Sequence, residues 1–244
     1  ASLLDGMNEG SSEATGATSA SKRPSTDGDS GVRNSGNLSA ALGAMELCRG
    51  DVGLLLSIPR QGLGNAAIGA VANDEQLARF KGKWAAMAIT EPSCGSDSAA
   101  IRTTAVKEGD DYILNGEKIY VTAGARAECV VVWATLDKSL GKAAIKSFVV
   151  EHGTPGMEIT RLEHKLGIKA SDTAAILFTN CRVPAANLLG SPEIDLKKGF
   201  AGVMETFDNT RPLVAAMAVG VAAASIERLK ELLAGHIDAN YGTL

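Results

Sequence analysis

The chain has 244 residues, of which 45% are hydrophobic and 21% are charged, so it can bury a core and whole-chain disorder is excluded. Its 24 basic and 28 acidic residues give a net charge of −4 without any block of Lys or Arg, which argues against nucleic acid as a partner. The longest low-charge stretch, Leu213–Ile226, is shorter than the roughly 20 apolar residues of a membrane span, so no transmembrane helix is expected.

Residues 1–36 differ in composition from the rest of the chain. They contain eight Ser and six Gly but few large apolar side chains, too few to offset the conformational entropy that is lost on ordering. The composition predicts that this segment is a low-complexity tail or a poorly packed lead-in.

Helical spacing of the apolar residues extends over residues 37–83. It predicts one helix through the run from Leu38 to Leu47 and a second over Val52–Ile58, which Pro59 interrupts. Further along, Asn73 stands ahead of two acidic residues, a pattern that is typical of a helix start. The prediction is an N-terminal helical segment.

Between residues 84 and 190 the apolar residues alternate, which is the period of a strand. The eight predicted strands are 84–89, 102–107, 112–114, 118–122, 130–136, 145–150, 157–161 and 175–178. Turn formers separate them, among them Asn115-Gly116 and Asn180. Since no helical pattern lies between the strands, this region is predicted to be a central antiparallel β-barrel or sandwich.

The helical pattern returns near Lys198 and continues toward the end of the chain. Pro212 is predicted to lie near the first turn of a long, Ala-rich helix that ends at about Ala234. Gly220 and the alanines after it would let a neighbouring helix approach closely. Residues 191–244 are therefore expected to begin a C-terminal helical bundle, and the chain as a whole is assigned to the α+β class.

The cysteines and histidines indicate neither disulfides nor a metal site. The four cysteines are Cys48, Cys94, Cys129 and Cys181. No CxxC pair occurs, so they are interpreted as reduced, mostly buried thiols of an intracellular protein. The three histidines form neither HExxH nor a cluster with cysteine, so no metal is expected. Without a secretory signal, the expected location is the cytoplasm, or the mitochondrial matrix in a eukaryote.

Residues 62–67, GLGNAA, satisfy the G-x-G-x-x-A form of the dinucleotide-binding fingerprint, which makes a nicotinamide enzyme one candidate. The run before it contains Pro59, and no βαβ unit follows it. No acidic residue ends a second strand at the expected distance of about 20 residues. A turn between two helices is the favoured interpretation of these glycines.

Two segments combine a predicted strand with polar residues that can bind a ligand. Residues 88–97 read AITEPSCGSD, and residues 115–122 read NGEKIYVT. The first runs into a loop of Gly, Ser and Thr, whose hydroxyls and free N–H groups can bind the carbonyls and ring nitrogens of a planar cofactor, or an anion. Either segment alone is also compatible with an ordinary strand and a polar turn.

Together with later blocks, these segments resemble the acyl-CoA dehydrogenase family. The family's flavin motif reads much like ITEP-x-x-GSD and is followed by NG-x-K-x-(W/Y)-(I/V)-T. The later blocks are 163–173 (EHKLGIKASDT), 183–184 (VP), 187–190 (NLLG) and 207–212 (FDNTRP). The resemblance covers about residues 38–235 in the right order, and Cys94 stands where the family usually has Gly, Ala, Ser or Asn.

The resemblance implies a bound FAD and assigns residues to it. These residues are Met87, Ile89, Thr90, Gly95, Ser96, Tyr120 and Thr122. Thr90 would hydrogen-bond the flavin ring, and Ser96 would lie where the flavin meets the thioester. Tyr120 would stand against the flavin where many relatives have Trp, and Thr122 would hydrogen-bond near the reactive nitrogen.

The activity that the resemblance implies is α,β-dehydrogenation of an acyl-CoA thioester to the 2-enoyl-CoA, in fatty-acid or related acyl catabolism. The residues assigned to the substrate are Ser96, Asp208, Asn209, Thr210 and Arg211. Arg211 would be the cation that pairs with CoA. A carboxylate must remove the α proton, and some relatives carry it immediately before the arginine. Thr210 occupies that position and cannot serve, so the catalytic base is unknown.

Three interpretations stay open. The favoured one is an acyl-CoA dehydrogenase that is truncated or incomplete at the C-terminus, with its base beyond Leu244, because the Ala-rich helix lacks a bundle. The second is a non-catalytic subunit of a hetero-oligomeric dehydrogenase, and the third is a flavin-free relative that serves acyl-CoA binding or assembly. The resemblance further implies an electron-transfer flavoprotein as the acceptor and a homo- or hetero-oligomer.

Overall fold

The computed structural model describes residues 35–59, 63–196 and 200–234. Residues 1–34 of the predicted tail therefore lie outside the described residues. Helices precede and follow a central sheet. The helices are α1 (Ser35–Gly50), α2 (Val52–Ser57), α3 (Leu63–Val71), α4 (Asp74–Phe80) and α5 (Ala201–Leu233). The strands are β1 (Ala85–Ala88), β2 (Thr104–Glu108), β3 (Asp111–Thr122), β4 (Cys129–Thr135), β5 (Ile145–Glu151), β6 (Met157–Leu162) and β7 (Thr173–Pro184).

Side-chain caps fix the starts of two N-terminal helices. The Asp51 carboxylate accepts a hydrogen bond from the Leu54 N–H at 2.9 Å at the start of α2. Asn73 and Gln76 form a reciprocal capping box at the start of α4, each side chain accepting from the backbone N–H of the other residue. The helix start predicted at Asn73 is confirmed.

Gly64 of the GLGNAA run does not lie in the expected turn between helices. Gly64 lies inside α3, where an added Cβ would overlap the carbonyl oxygens of Ala85 and Ala86 in β1. Gly62 lies outside the described residues. Gly64 therefore permits the close approach of a helix to a strand, a packing role that local sequence patterns do not reveal.

The seven strands form one curled sheet in the order β1-β4-β2-β3-β7-β6, with β5 paired to β4. β1 and β2 pair with β4 in parallel, and the other pairs are antiparallel. The α+β class and a β domain between helical segments are confirmed, but the sheet is mixed and not wholly antiparallel. Parallel pairing is possible because the chain passes through β2 and β3 before β4, a connection long enough for a crossover.

The sheet is buried on both faces where β1 and β4 lie. All four residues of β1 and all seven of β4 are buried, which explains the unbroken apolar run CVVVWAT. One core joins β2, β3, β4, β5 and β7 around Leu114, Phe148 and Ile176. A second core packs α3, α4 and the start of α5 against the sheet around Met87 and Trp133. The end of β1 is therefore held between two packed layers.

The two short strands predicted on either side of Asn115-Gly116 form the single strand β3. The chain passes through this pair with a register shift opposite β7 and does not turn. An added Cβ on Gly116 would overlap Thr103, and the Asn115 side chain accepts a hydrogen bond from the Asn180 N–H at 2.8 Å. Asn180, also expected in a turn, lies within β7 at a φ of 47°. Here Asn and Gly form an irregular strand pair and not a hairpin turn.

Helix α5 is continuous, so Pro212 lies inside it and not near its start. Packing against α1 and α3 supports the helix on both sides of the proline, which removes only one backbone hydrogen bond. Gly220 is buried, and an added Cβ would overlap the Met45 carbonyl oxygen of α1. Arg49 of α1 pairs with Glu227 of α5 at 2.5 Å. The close approach predicted at Gly220 is confirmed, and α1 of the same chain is the neighbouring helix.

By length and composition alone, α5 is also apolar and long enough to cross a membrane. A single helix of this kind is weak evidence for a span, although only 6% of its apolar window is buried in this fold. In this fold α5 packs against α1 and α3.

The four cysteines are all buried and unpaired, as expected. Burial raises the pKa of Cys129 and of Cys181 to about 11. Burial also raises the pKa of Cys48 and of Cys94. These thiols are therefore protonated and unreactive at neutral pH.

Candidate functional site

The first loop (residues 89–96) follows β1 and presents free backbone donors to solvent. Glu91 and Cys94 exchange backbone hydrogen bonds of 2.9 and 3.1 Å, and these close a tight turn. Gly95 and Ser96 follow the turn, and both are exposed. Their N–H groups have no protein acceptor within the part of the chain that the structure describes. An added Cβ on Gly95 would meet only one methyl group, at 3.6 Å, so a flat molecule can approach the loop.

The β3 bulge, between Lys118 and Val121, lies directly beside the first loop. The Ile119 N–H donates to the Thr90 carbonyl at 2.9 Å. The register of β3 against β7 shifts here, so Ile119 and Tyr120 fall outside the ladder. Tyr120 has a φ of 58° and its residue is 62% exposed. A non-glycine residue in this region costs about 1–3 kcal/mol, and such strain is concentrated at functional sites.

A buried ion pair joins the first loop to the β3 bulge. The side chains of Lys118 and Glu91 are 0% and 4% exposed, and Nζ lies 2.8 Å from Oε1. Lys118 Nζ also donates to the Ile89 carbonyl at 3.1 Å. The Glu91 carboxylate accepts from the Thr103 N–H at 2.9 Å, the Thr103 hydroxyl at 2.6 Å and the Arg102 N–H at 2.6 Å. Both carboxylate oxygens are thus hydrogen-bonded, as a buried charge requires.

Electrostatic partners outweigh desolvation at Glu91. Burial alone would raise the pKa of Glu91, but the Lys118 cation and the donors on Thr103 and Arg102 together hold that pKa below its usual value. Burial lowers the pKa of Lys118, and the carboxylate opposes that shift. Glu91 is therefore a structural anion and not a proton acceptor at neutral pH.

We expect a Glu91→Gln variant to lose less stability in acid than the wild type does. The pKa of Glu91 in the fold lies below the value of about 4.3 for an unfolded Glu, so its stabilising contribution is complete above about pH 4.3. That contribution is lost as the pH falls through the folded pKa. The urea midpoint between about pH 3 and pH 6 measures this difference. Glu158→Gln, at an exposed position of β6, should keep the wild-type dependence, and equal behaviour of the two variants would contradict the prediction.

Met87 and Ile89 belong to the second core. Each is 8% exposed and packs with side chains such as Phe80 and Ile101. Only a small part of either side chain is accessible from outside, and their assignment to the flavin stays a prediction.

Thr122 is half-buried at the end of β3, opposite Thr173 of β7. Thr173 also lines a cleft of about 510 Å³, whose other walls come mainly from residues 162–172. Neither this cleft nor the smaller one beside α4 is lined by the first loop or the β3 bulge. Gly95, Ser96 and Tyr120 are exposed to solvent, and the assignment of Thr122 to the flavin stays a prediction.

One turn of α5 contains the residues assigned to acyl-CoA, namely Asp208, Asn209, Thr210 and Arg211. Asp208 and Arg211 are exposed and pair at 3.4 Å, so the guanidinium remains accessible to an anion. Thr210 is buried, and its hydroxyl donates to the Thr206 carbonyl at 3.0 Å. The side chain of Asn209 lies outside the described part of the structure.

The local sequence assigns no joint role to Glu91 and Lys118. Both lie in the quoted motifs, but they are 27 residues apart and no local period relates them. A lysine within an apolar strand is the sequence feature that could indicate such a pair, because a buried lysine needs an anionic partner.

Residues 86–181 match the family model described as "Acyl-CoA dehydrogenase, middle domain", and this range contains the first loop and the β3 bulge. This part of the chain belongs to the acyl-CoA dehydrogenase family. Within this acyl-CoA dehydrogenase domain, the motif segments that carry the resemblance are the two segments that the Ile119–Thr90 hydrogen bond joins.

Named relatives are similar to this chain over part of their own length. Acryloyl-CoA reductase (NADH) of Anaerotignum propionicum is 42% identical over 148 residues, 60% of this chain and 36% of the relative. Mitochondrial short-chain specific acyl-CoA dehydrogenase of Rattus norvegicus is 43% identical over 140 residues, 57% of this chain and 33% of the relative. Butyryl-CoA dehydrogenase of Megasphaera elsdenii has a TM-score of 0.77 and 34% identity, over 96% of this chain and 61% of that chain. The chain thus spans about a third of the length of these two curated relatives.

Members of the acyl-CoA dehydrogenase family are FAD-dependent flavoproteins, and the residues of this chain fit a flavin ring. The isoalloxazine carries carbonyl oxygens and ring nitrogens that accept hydrogen bonds on a flat, aromatic body. The free N–H groups of Gly95 and Ser96 are suitable donors, and the exposed ring of Tyr120 is a suitable packing surface. Because Gly95 lacks a Cβ, the ring can approach the loop backbone.

Proposed function

We propose that this chain holds the flavin ring of an FAD-dependent acyl-CoA dehydrogenase, which converts an acyl-CoA thioester to its 2-enoyl-CoA. The decisive observation is that a loop with free amide donors lies beside a strained, exposed Tyr120 in a domain of this family. Packing within the chain does not compensate for backbone strain at an exposed aromatic residue. A ligand that stacks on the ring would compensate for it.

The residues of this chain bind and orient the reactants. When bound, FAD supplies the two-electron acceptor for the hydride that leaves the β carbon. Gly95, Ser96 and Thr90 would donate to the flavin ring, and Tyr120 would shield part of it from water. Arg211, exposed on α5, would pair with a phosphate of CoA.

The α proton requires a base that we do not assign among the described residues. Thr210, at the position where some relatives carry it, has no carboxylate, and its hydroxyl is buried against the helix backbone. Glu91 is saturated by hydrogen bonds in a buried pair and cannot take a proton at neutral pH. This chain's part in the proposed reaction is therefore binding and orientation.

The proposed partners follow from the same proposed function. Acyl-CoA is the substrate and an electron-transfer flavoprotein is the electron acceptor. Oligomerisation is supported by the outer side of α5, where large apolar side chains are exposed. These side chains are Val214, Val219, Ile226, Leu229 and Leu232.

One observation favours a second function, reduction of an enoyl-CoA. The reductase of Anaerotignum propionicum is about as similar in sequence as the short-chain dehydrogenase. Because both reactions exchange a hydride between the β carbon and a flavin, the described geometry serves either direction.

The purified protein tests both proposals. It should show flavin absorbance near roughly 450 nm, and anaerobic addition of acyl-CoA should bleach it. Turnover of saturated acyl-CoA esters with an artificial electron acceptor supports the dehydrogenase, whereas oxidation of NADH that requires an enoyl-CoA supports the reductase. Bound flavin without turnover in either direction would mean that the base lies outside these residues, either in a longer form of the chain or in a partner subunit. Absence of bound flavin, also after incubation with FAD, would contradict the proposal and favour the flavin-free alternative.

A Tyr120→Asn variant should gain stability without flavin and lose affinity for FAD. Asn adopts a positive φ readily, so part of a strain of about 1–3 kcal/mol is relieved, while the stacking ring is removed. Thermal unfolding of the apoprotein and an FAD titration measure the two effects. Ile168→Asn is the matched control, because Ile168 is also exposed at a φ of 53° but lies outside both segments. Unchanged FAD affinity of the Tyr120 variant would refute a contact with the ring.

A further inference from the structure

The buried pair Glu91–Lys118 connects the backbone on both sides of the candidate flavin contacts. Lys118 Nζ holds the Ile89 carbonyl, one residue before Thr90. The residue after Lys118 donates its N–H to the Thr90 carbonyl, and Tyr120 follows directly. The Lys118 side chain thus contacts the peptide group just before Thr90, and its backbone leads directly into the residues that bond Thr90 and carry the Tyr120 ring.

The carboxylate of Glu91 adds a third chain segment to this connection. Its oxygens accept hydrogen bonds from the backbone N–H groups of Arg102 and Thr103, which lie just before β2. Glu91 itself lies in the turn that leads to Gly95. The carboxylate therefore connects the first loop both to the segment just before β2 and, through Lys118, to the β3 bulge.

Fold stability alone does not explain an ion pair at this place. A buried pair is weak in net stabilisation, and apolar side chains of similar volume are often as stable or more so, whereas loss of one partner is costly. The pair lies where the first loop meets the strained Tyr120, and strain of this kind persists only where the surroundings over-determine the backbone.

We propose that Glu91 and Lys118 are positioning residues, which hold the first loop and the β3 bulge in the flavin-binding arrangement before the cofactor arrives. This inference rests on the proposed function of the site. The pair touches neither flavin nor substrate and acts through the peptide groups of Thr90 and Tyr120. Its loss should weaken the site more than it weakens the fold.

Two variants separate positioning from stability. Lys118→Met removes the cation and leaves a buried carboxylate, and Lys118→Met with Glu91→Gln removes both charges. The double variant should recover most of the stability that the single variant loses, because no unpaired buried charge is left. Its affinity for FAD should nevertheless stay roughly 10- to 100-fold below the wild type, by analogy with the loss in metal affinity when a partner that orients metal ligands is removed.

Gln76→Met is the matched control for general destabilisation. The Gln76 side chain is 8% exposed and holds the carbonyl of Leu188 and the N–H of Gly190, far along the chain from both segments. This variant also loses buried hydrogen bonds, but it leaves the first loop and the β3 bulge untouched. Its FAD affinity should stay within about a factor of two of the wild type wherever the protein is folded.

The measurements are FAD titration, the visible spectrum of the bound flavin and amide hydrogen exchange of the flavin-free protein. Exchange should become faster in peptides covering residues 89–96 and 117–122 of the double variant, and not in those of the control. Wild-type FAD affinity and exchange in the double variant would overturn the inference while leaving the proposed function intact. If the wild-type protein binds no flavin, the proposed function fails, and exchange still shows whether the pair holds the two segments together.

Discussion

Replacing Glu91 by alanine is expected to cost about 3–5 kcal/mol of unfolding free energy, the range for breaking a buried ion pair by removing one partner. Lys118 would keep only the Ile89 carbonyl as an acceptor in a site where its side chain is 0% exposed. The N–H and hydroxyl of Thr103 would lose their acceptor as well. Since domains have about 5–15 kcal/mol of stability, this single change should bring the fold close to its limit.

Urea unfolding followed by circular dichroism measures the loss at Glu91. Glu151→Ala is the appropriate control, because Glu151 pairs with Lys83 at 2.5 Å but on the surface, with side chains 50% and 36% exposed. An exposed pair contributes about 0–1 kcal/mol, so the control should unfold near the wild-type midpoint. Similar losses in the two variants would show that burial of the Glu91 pair has no energetic consequence.

Gly64→Ala should destabilise the protein by about 1–3 kcal/mol or more, as extra volume in a packed core does. The new methyl group would overlap the carbonyl oxygens of Ala85 and Ala86, which are backbone atoms of β1 and cannot rotate away. Either α3 or β1 must shift, and β1 leads directly into the first loop. FAD affinity should therefore fall together with stability in this variant.

The matched substitution for Gly64 is Gly43→Ala in α1. Gly43 also lies within a helix, but no heavy atom lies within 4 Å of its added Cβ. Alanine is the better helix former, so this variant should gain about 0.5–1 kcal/mol. Thermal unfolding of both variants gives the comparison. A Gly64→Ala protein as stable as the wild type would mean that α3 does not pack closely against β1.

Local patterns predict the elements whose cause is local. The apolar run of β4 and the helix cap at Asn73 follow from residue type and spacing alone, and the structure has both. The motif resemblance likewise predicts that the first loop and NGEKIYVT belong to one site, and the hydrogen bond from Ile119 to Thr90 places them side by side.

What the sequence does not reveal depends on contacts between distant residues. Asn115-Gly116 looks like a hairpin turn, because the close approach of Thr103 that requires the glycine cannot be seen in the local sequence. The positive φ of Tyr120 is contrary to its own preference and arises from the register shift against β7. The parallel pairing of β1 with β4 requires knowledge of the connection through β2 and β3.

The strand order also fixes when the site can exist during synthesis of the chain. β1, which carries the first loop, pairs with β4 and not with its successor in sequence, and β3 pairs with β7 from Thr122–Thr173 to Asp111–Pro184. Contacts of such long range form late, since much chain must be ordered before they are made. A nascent chain therefore cannot offer the β3 bulge in its final register until Ala174 and Ile176, which lie opposite the bulge, have left the ribosome, and cofactor capture must follow that pairing.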